Sequence, residues 1–187
     1  MAPEPRTPSP PPCTLRAVRP ADAEAVLAAF TANPDMARQG EVGTLDQART
    51  YVEWLLGEKR RAVAVAGPDD TMIGLVAVSI EEDNKVGWFF YWMHTDARGR
   101  GLAARAAATV ADRALSRSDQ DGWGLDRLEL GHRANNPASG AVARAAGFVH
   151  EGTERQKFLI DGERHDVLTY GRLRTDPPPA TPHLPRG

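Results

Sequence analysis

A single cysteine, Cys13, stands among 187 residues. No intrachain disulfide can staple this chain, and the redox setting that fits is a reducing, cytoplasmic one. No apolar run approaches the roughly 20 residues of a membrane-spanning helix. The first residues are dense in proline rather than basic and then apolar, so no secretory leader is expected. Charge of either sign is nearly balanced, 23 Lys and Arg against 25 Asp and Glu, for a formal net charge of −2. That leaves no basic field for nucleic acid. The histidines lack metal-ligand spacing such as H-E-x-x-H, so no metal is expected. There is no G-x-x-x-x-G-K-[ST], and Ala104 stands where a G-x-G-x-x-G motif would need its last glycine. What remains, 41% apolar and 26% charged residues, is the make-up of an ordinary globular domain long enough to bury one core.

The stretch that organises the chain runs from Met93 to Ala104. Ahead of it, Val86 to Met93 reads as an apolar, aromatic strand. Behind it, Leu102, Ala106, Val110 and Ala114 recur at helical spacing. A strand, a glycine-rich basic turn and a helix start gather several backbone N–H groups and the positive end of a helix dipole at one spot. Gly99 and Gly101 let the backbone approach a bulky anion, while Arg98 and Arg100 add charge. Such a turn suits a pyrophosphate; a plain basic helix start on the surface is the alternative.

The rest of the chain alternates short elements. Residues 14–19 read as a strand, and Pro20 opens a helix carrying Ala25, Val26, Ala29 and Phe30. After a loop at 38–42, Thr44 caps a second helix that Gly57 stops. Residues 61–66 and 71–80 form a hairpin. Trp88-Phe89-Phe90-Tyr91-Trp92 has no polar alternation and reads as a central strand buried on both faces. After the organising helix comes a strand at 127–132. Asn136 then serves as N-cap, Pro137 as first helical residue, and Ser139 falls on the first turn. Gly147 and Phe148 end that helix. Residues 149–159 and 164–173 close the chain as a hairpin about Asp161-Gly162. The domain organisation expected is a disordered proline-rich tail at 1–13, one domain at 14–173, and a second disordered proline-rich tail at 174–187. Cys13, in the first tail, is expected to be an inert thiol.

The run Arg98-Gly99-Arg100-Gly101-Leu102-Ala103 fits [Q/R]-x-x-G-x-[G/A]. It resembles the acetyl-CoA loop of the GNAT superfamily of N-acetyltransferases. A second series is Asn136-Pro137-Ala138-Ser139, Ala146-Gly147-Phe148, Glu151-Gly152, Asp161-Gly162, Asp166-Val167 and Tyr170-Gly171. It resembles the RimJ/RimL-like branch of that superfamily, which includes protein Nα-acetyltransferases acting on ribosomal proteins. The resemblance spans 14–173. It implies an α/β (α+β) fold: a mixed, mostly antiparallel seven-stranded sheet, helices on both faces, and a splay between strand four (86–93) and strand five (127–132) that admits the pantetheine arm. It implies acetyl-CoA as co-substrate and a primary amine as acceptor, and it leaves a homodimer through the final strands open.

By this resemblance, the backbone of Trp92 and Met93, at a bulged strand end, holds the thioester and polarises its carbonyl. The N–H groups of Gly99, Arg100, Gly101, Leu102, Ala103 and Ala104 cradle the pyrophosphate, and Asn136 bonds the pantetheine arm. The leaving thiolate belongs to a thiol titrating at roughly 8–9, so acid assistance helps without being essential. Many members use a tyrosine on the following helix; here the tyrosines are Tyr51, Tyr91 and Tyr170, and none falls there. Ser139 is the RimL-like partner for the thiolate, with helix capping as its alternative role. For the general base, some RimL-like members carry a carboxylate where this chain reads Arg155-Gln156-Lys157-Phe158. Glu82 is preferred here over Glu81, Glu41 and His132, and a water chain is the equal alternative. Arg38, Gln39 and Glu41 lie in the loop that borders the acceptor pocket in the family. The acceptor reads first as a protein N-terminal α-amine, reached by direct attack in a ternary complex. A small amine such as an antibiotic or polyamine is the second reading, and a non-catalytic acyl-CoA-binding module the third.

Overall fold

Three antiparallel pairings at the start of the chain and two at its end leave one parallel junction in the middle of the sheet. The structure, a computed structural model, describes residues 13–160 and 162–187. Most of the first expected tail, and Asp161 of the final turn, lie outside them. The strands are β1 (Thr14–Ala17), β2 (Arg60–Ala66), β3 (Met72–Glu81), β4 (Val86–Met93), β5 (Arg127–Arg133), β6 (Val149–Ile160) and β7 (Glu163–Leu173). The helices are α1 (Ala23–Thr31), α2 (Leu45–Leu55), α3 (Leu102–Leu115) and α4 (Pro137–Ala145). The sheet order is β1-β2-β3-β4-β5-β7-β6. Only β4 and β5 run parallel, so a crossover must join them, and α3 is that crossover.

The β4–β5 pairing is short. It holds Val86 to Arg127, Gly87 to Leu128 and Trp88 to Glu129, and stops there. Beyond Trp88 the two strands part, which is the expected splay. β5 keeps its full length by pairing with β7 from Arg127 to Arg133.

Both faces of the sheet are covered, and β4 supplies each with aromatic residues. Phe89 and Met93 pack with Val76, Val78, Leu128, Leu130 and Phe148 against α3 and α4. Trp92 packs with Phe30, Val52, Leu55 and Leu75 against α1 and α2. Ala106, Ala107, Ala108, Ala111 and Ala114 of α3 are fully buried, and their small side chains let the helix lie close on the strands. Trp88 departs from the expected two-sided burial. It is 45% exposed, with its ring beside the bare backbone of Gly131.

The helix starts follow their residues. Thr44 and Gln47 form a reciprocal capping box. Asn136 Oδ1 accepts from Ser139 N–H at 3.2 Å, with Pro137 at the first helical position. Gly147 takes φ +82° after α4. The first helix is preceded by a 3-10 turn, Pro20–Asp22. Arg16 of β1 clasps that turn, donating to Asp22 Oδ1 at 2.7 Å and Oδ2 at 2.9 Å, with both side chains buried.

Two expectations about the ends need correcting. Residues 174–187 are laid along the molecule rather than left free. The Arg174 guanidinium donates to the carbonyls of Leu115, Gly124 and Leu125. Arg105 donates to the carbonyls of Pro182 and His183. Leu184 is 3% exposed, and its N–H meets Thr109 Oγ1 at 2.9 Å. Leu15 N–H then donates to Pro185 O, and Gly187 N–H to Leu15 O, so the chain end forms a bridge on the outer edge of β1. Proline suits such a segment because an extended edge asks little of its missing N–H. Cys13, expected in a tail, is 8% exposed within the core on the α3 face.

Candidate active site

β3 and β4 stay in register from Glu81–Val86 to Gly74–Met93 without a bulge. His94 N–H donates to Ile73 O at 2.8 Å. In an antiparallel pair the hydrogen-bonding side alternates along the strand. Trp92 therefore turns its N–H and C=O to β3, while Tyr91 and Met93 turn theirs to the splay. The expected bulge is absent, and of the two residues expected to hold a thioester by their backbone, Met93 faces the opening and Trp92 does not. The Trp92 side chain is spent elsewhere: its Nε1–H donates to Tyr51 Oη at 3.2 Å. Burial pushes the Tyr51 phenol up to about 12, against the opposing bond from Trp92.

Arg98 folds back on the strand end. Its Nε–H donates to Met93 O at 3.1 Å, and Nη2 lies 3.4 Å from Met36 Sδ. It ties the loop to β4, while Arg100, exposed like Arg98, has no side-chain bond to the loop among the described residues. Backbone bonds close a small turn, Ala97 N–H to His94 O and Arg98 N–H to Thr95 O. From Gly99 to Ala104 no N–H meets a backbone or side-chain acceptor among the described residues. The ladder resumes with Arg105 N–H on Gly101 O at 3.1 Å. Gly99 and Gly101 take φ +74° and +72°, the left-handed region. A Cβ placed on either would meet nothing within 4 Å. Glycine is needed there for the backbone and not for lack of room, and the space over the loop is open. Six donors at the start of a 14-residue helix form an anion nest. These residues fit a pyrophosphate.

Across the splay, the start of α4 faces β4. Asn136 Oδ1 is committed to the cap, which leaves its amide N–H groups to donate. Ser139 is half-buried, and its hydroxyl is not the cap. Ser139 Oγ lies 2.8 Å from Tyr91 Oη, and Tyr91 also donates to Ser139 O at 2.8 Å. Burial pushes the Tyr91 phenol up to about 12. Tyr91 was not among the residues expected at the site, because a run of five aromatic residues reads as core. The signal that could have found it is its parity with Met93, which puts both on the same side of β4.

The candidate bases do not gather here. Glu82 lies exposed in the turn between β3 and β4. That turn precedes Val86, and seven residue steps at about 3.3 Å put it about 23 Å from Met93. Glu81 accepts from Asn84 in the same turn. The preference for Glu82 is therefore corrected. His132 is buried under α4: Nδ1 meets Arg133 O at 2.9 Å, the ring stacks on Tyr170, and Nε2 packs against Gly140. Gln39 and Glu41 are exposed in the loop before α2, and Glu41 helps line a cavity of about 330 Å³ with Phe30, Val42 and Gln47. Among the described residues no group of three His, Cys, Asp or Glu is placed to hold a metal ion, and no helix is long and apolar enough to cross a membrane.

With strand end, nest and splay in place, the class of the chain follows. It belongs to the acetyltransferase (GNAT) domain family, whose model matches residues 13–149. Its fold is the GNAT fold, and it is an acetyl-CoA-dependent N-acetyltransferase. The chain is 25% identical over 175 residues to YdaF of Bacillus subtilis (strain 168), provisionally named a ribosomal N-acetyltransferase; the match covers 87% of this chain and 92% of YdaF. It is 29% identical over 106 residues, 56% of each chain, to the ribosomal-protein-serine acetyltransferase of Escherichia coli (strain K12). Among solved structures, RimL, a ribosomal L7/L12 alpha-N-protein acetyltransferase in complex with coenzyme A, superposes with a TM-score of 0.76 at 23% identity. That superposition covers 87% of this chain and 94% of RimL.

Proposed function

We propose that this enzyme moves the acetyl group of acetyl-CoA to the α-amine of a protein N-terminus, by direct attack in a ternary complex. The observation that carries the donor half is the set of six unpaired N–H groups from Gly99 to Ala104, set beside a strand end that opens onto the splay. The relatives named above support the acceptor half, since two of the names specify ribosomal proteins and the third specifies a ribosomal N-acetyltransferase.

In this reading Gly99, Arg100, Gly101, Leu102, Ala103 and Ala104 hold the pyrophosphate, with Arg100 adding charge and Arg98 holding the loop in place. The Asn136 amide donates to the pantetheine arm. Met93 N–H, aimed at the splay, polarises the acyl carbonyl. The Ser139 hydroxyl serves the leaving sulfur. A water chain takes the ammonium proton, since Glu82 is remote. Cys13 lies in the core and carries no acyl group. Residues 14–173 are the catalytic domain, and 174–187 strap it. The enzyme works in the cytoplasm, and a homodimer through the final strands belongs to the same proposal.

Thiol release from acetyl-CoA tests the reading, against peptides with varied first residues and a panel of small amines. Acetyl recovered on a peptide α-amine supports it. Turnover with polyamines or antibiotics alone overturns the acceptor. Coenzyme A bound by calorimetry without turnover on any amine overturns the catalysis and favours a binding module.

A further inference from the structure

The Ser139 hydroxyl is not alone at the splay. Tyr91 reaches it from β4, on the other side of the opening, and its oxygen lies 2.8 Å from both Ser139 Oγ and Ser139 O. A phenol carries one proton, and a carbonyl only accepts. While Tyr91 donates to Ser139 O, the Ser139 hydroxyl must donate to Tyr91. The Ser139 proton is free to turn elsewhere when Tyr91 swings its own proton from the carbonyl to Ser139 Oγ. Both acceptors stand at the same distance, so the swing needs no movement of heavy atoms.

We propose that Tyr91 is a positioning residue for the leaving group, holding the Ser139 hydroxyl at the splay and donating to it when that hydroxyl turns to the coenzyme A sulfur. The inference rests on the acetyltransferase reading of the site. During transfer the amine nitrogen bonds to the acyl carbon. The carbon–sulfur bond breaks with its electron pair kept by sulfur, and the proton displaced from nitrogen passes to water. Ser139 Oγ–H donates to that sulfur, and Tyr91 O–H donates to Ser139 Oγ. Neither residue gives up its proton. A hydroxyl that accepts a hydrogen bond is a better donor to the next group, so the pair does more than a lone serine. A phenol is protonated across the neutral range, and burial, which pushes the Tyr91 titration up to about 12, extends that into alkaline pH. The chain has no tyrosine on α4, and a strand tyrosine acting through a helix serine fills that role from the opposite wall.

The test is the ionisation of coenzyme A while bound, read from its calorimetric affinity across neutral to alkaline pH. A hydrogen bond to a charged acceptor favours the thiolate by about tenfold or more, so in the wild-type protein the bound thiol ionises about one unit below free coenzyme A. Tyr91→Phe should shrink that preference to about threefold. Ser139→Ala should abolish it, and Tyr91→Phe should add nothing in the Ser139→Ala background. In turnover, Tyr91→Phe should lower kcat about threefold while KM for acetyl-CoA stays near its wild-type value. A residue that merely braces α4 would weaken coenzyme A binding equally at every pH. A Tyr91→Phe protein with the wild-type thiol titration overturns the proposal. So does a wild-type protein in which bound coenzyme A ionises at its free value, a result that needs no variant to fold. Failure of the wild-type protein to bind coenzyme A at any pH would instead sink the acetyltransferase reading itself.

Discussion

Gly101 is where the proposed donor site can be broken with the least disturbance elsewhere. It takes φ +72° as N-cap of α3, and a Cβ there would meet nothing within 4 Å. Gly101→Ala therefore introduces no clash, only left-handed strain of about 1–2 kcal/mol. For a chain of this size, each kcal/mol lowers Tm by about 2–4 °C, so Gly101→Ala should melt a few degrees early. Gly101→Glu carries the same strain and puts a carboxylate at the mouth of the nest. Two charges about 5 Å apart at an effective dielectric of about 20 repel by about 3 kcal/mol, before screening by salt. Coenzyme A affinity should then fall at least tenfold further in Gly101→Glu than in Gly101→Ala, and the gap should narrow as salt is raised. Calorimetry with coenzyme A gives the affinities, and thermal melts give the strain. If both variants melt alike but Gly101→Glu binds coenzyme A as tightly as Gly101→Ala, Gly99 to Ala104 is not the pyrophosphate cradle.

Leu184→Ala removes a nearly buried side chain from the C-terminal strap and should cost about 2–3 kcal/mol; a thermal melt identical to wild type would mean that 174–187 is a free tail. Asp22→Ala takes two hydrogen bonds from the buried Arg16 guanidinium, which keeps its pair with Asp70, and should cost about 1–3 kcal/mol by chemical denaturation, while Asp46→Ala, which breaks an exposed pair with Arg49, should cost under about 1 kcal/mol. Tyr51 and Tyr91 both titrate in the fold at about 12. Their folded values are raised, so the stability they carry is present below the unfolded tyrosine value of about 10 and is lost as pH rises from there towards about 12. Alkaline unfolding of Tyr51→Phe should accordingly be less steep in pH than that of wild type, and an equal slope would contradict the burial argument.

Much of this fold could be read from local residue chemistry. Thr44 with Gln47, and Asn136 before Pro137, mark helix starts because their side chains answer donors only a few residues away. The five-aromatic run of β4 declared a strand with apolar cover on both faces. The glycine loop could be read because φ and backbone donors are properties of consecutive residues. Glu82 misled for a related reason: a strand end names no distance, and only the sheet puts the length of β4 between Glu82 and the site. The proline-rich residues 174–187 misled too, because proline content speaks to backbone stiffness and not to what an extended segment lies against. Leu184, Thr109 and Leu15 are far apart in the chain and meet only once α3 lies on the sheet.

The order of strand, basic glycine turn and capped helix is a matter of neighbours in sequence. The family and the seven-strand plan were therefore present in the residues alone. Which backbone groups of β4 face the opening was not, because that depends on an unbroken register with β3. Nor was the meeting of Tyr91 with Ser139, 48 positions apart. Two side chains so distant come within hydrogen-bonding reach only because β4 and β5 part after three pairs and α4 folds back over the gap. Local spacing can specify an element and its cap, but the chemistry of a cleft between strands is decided by how those strands pack.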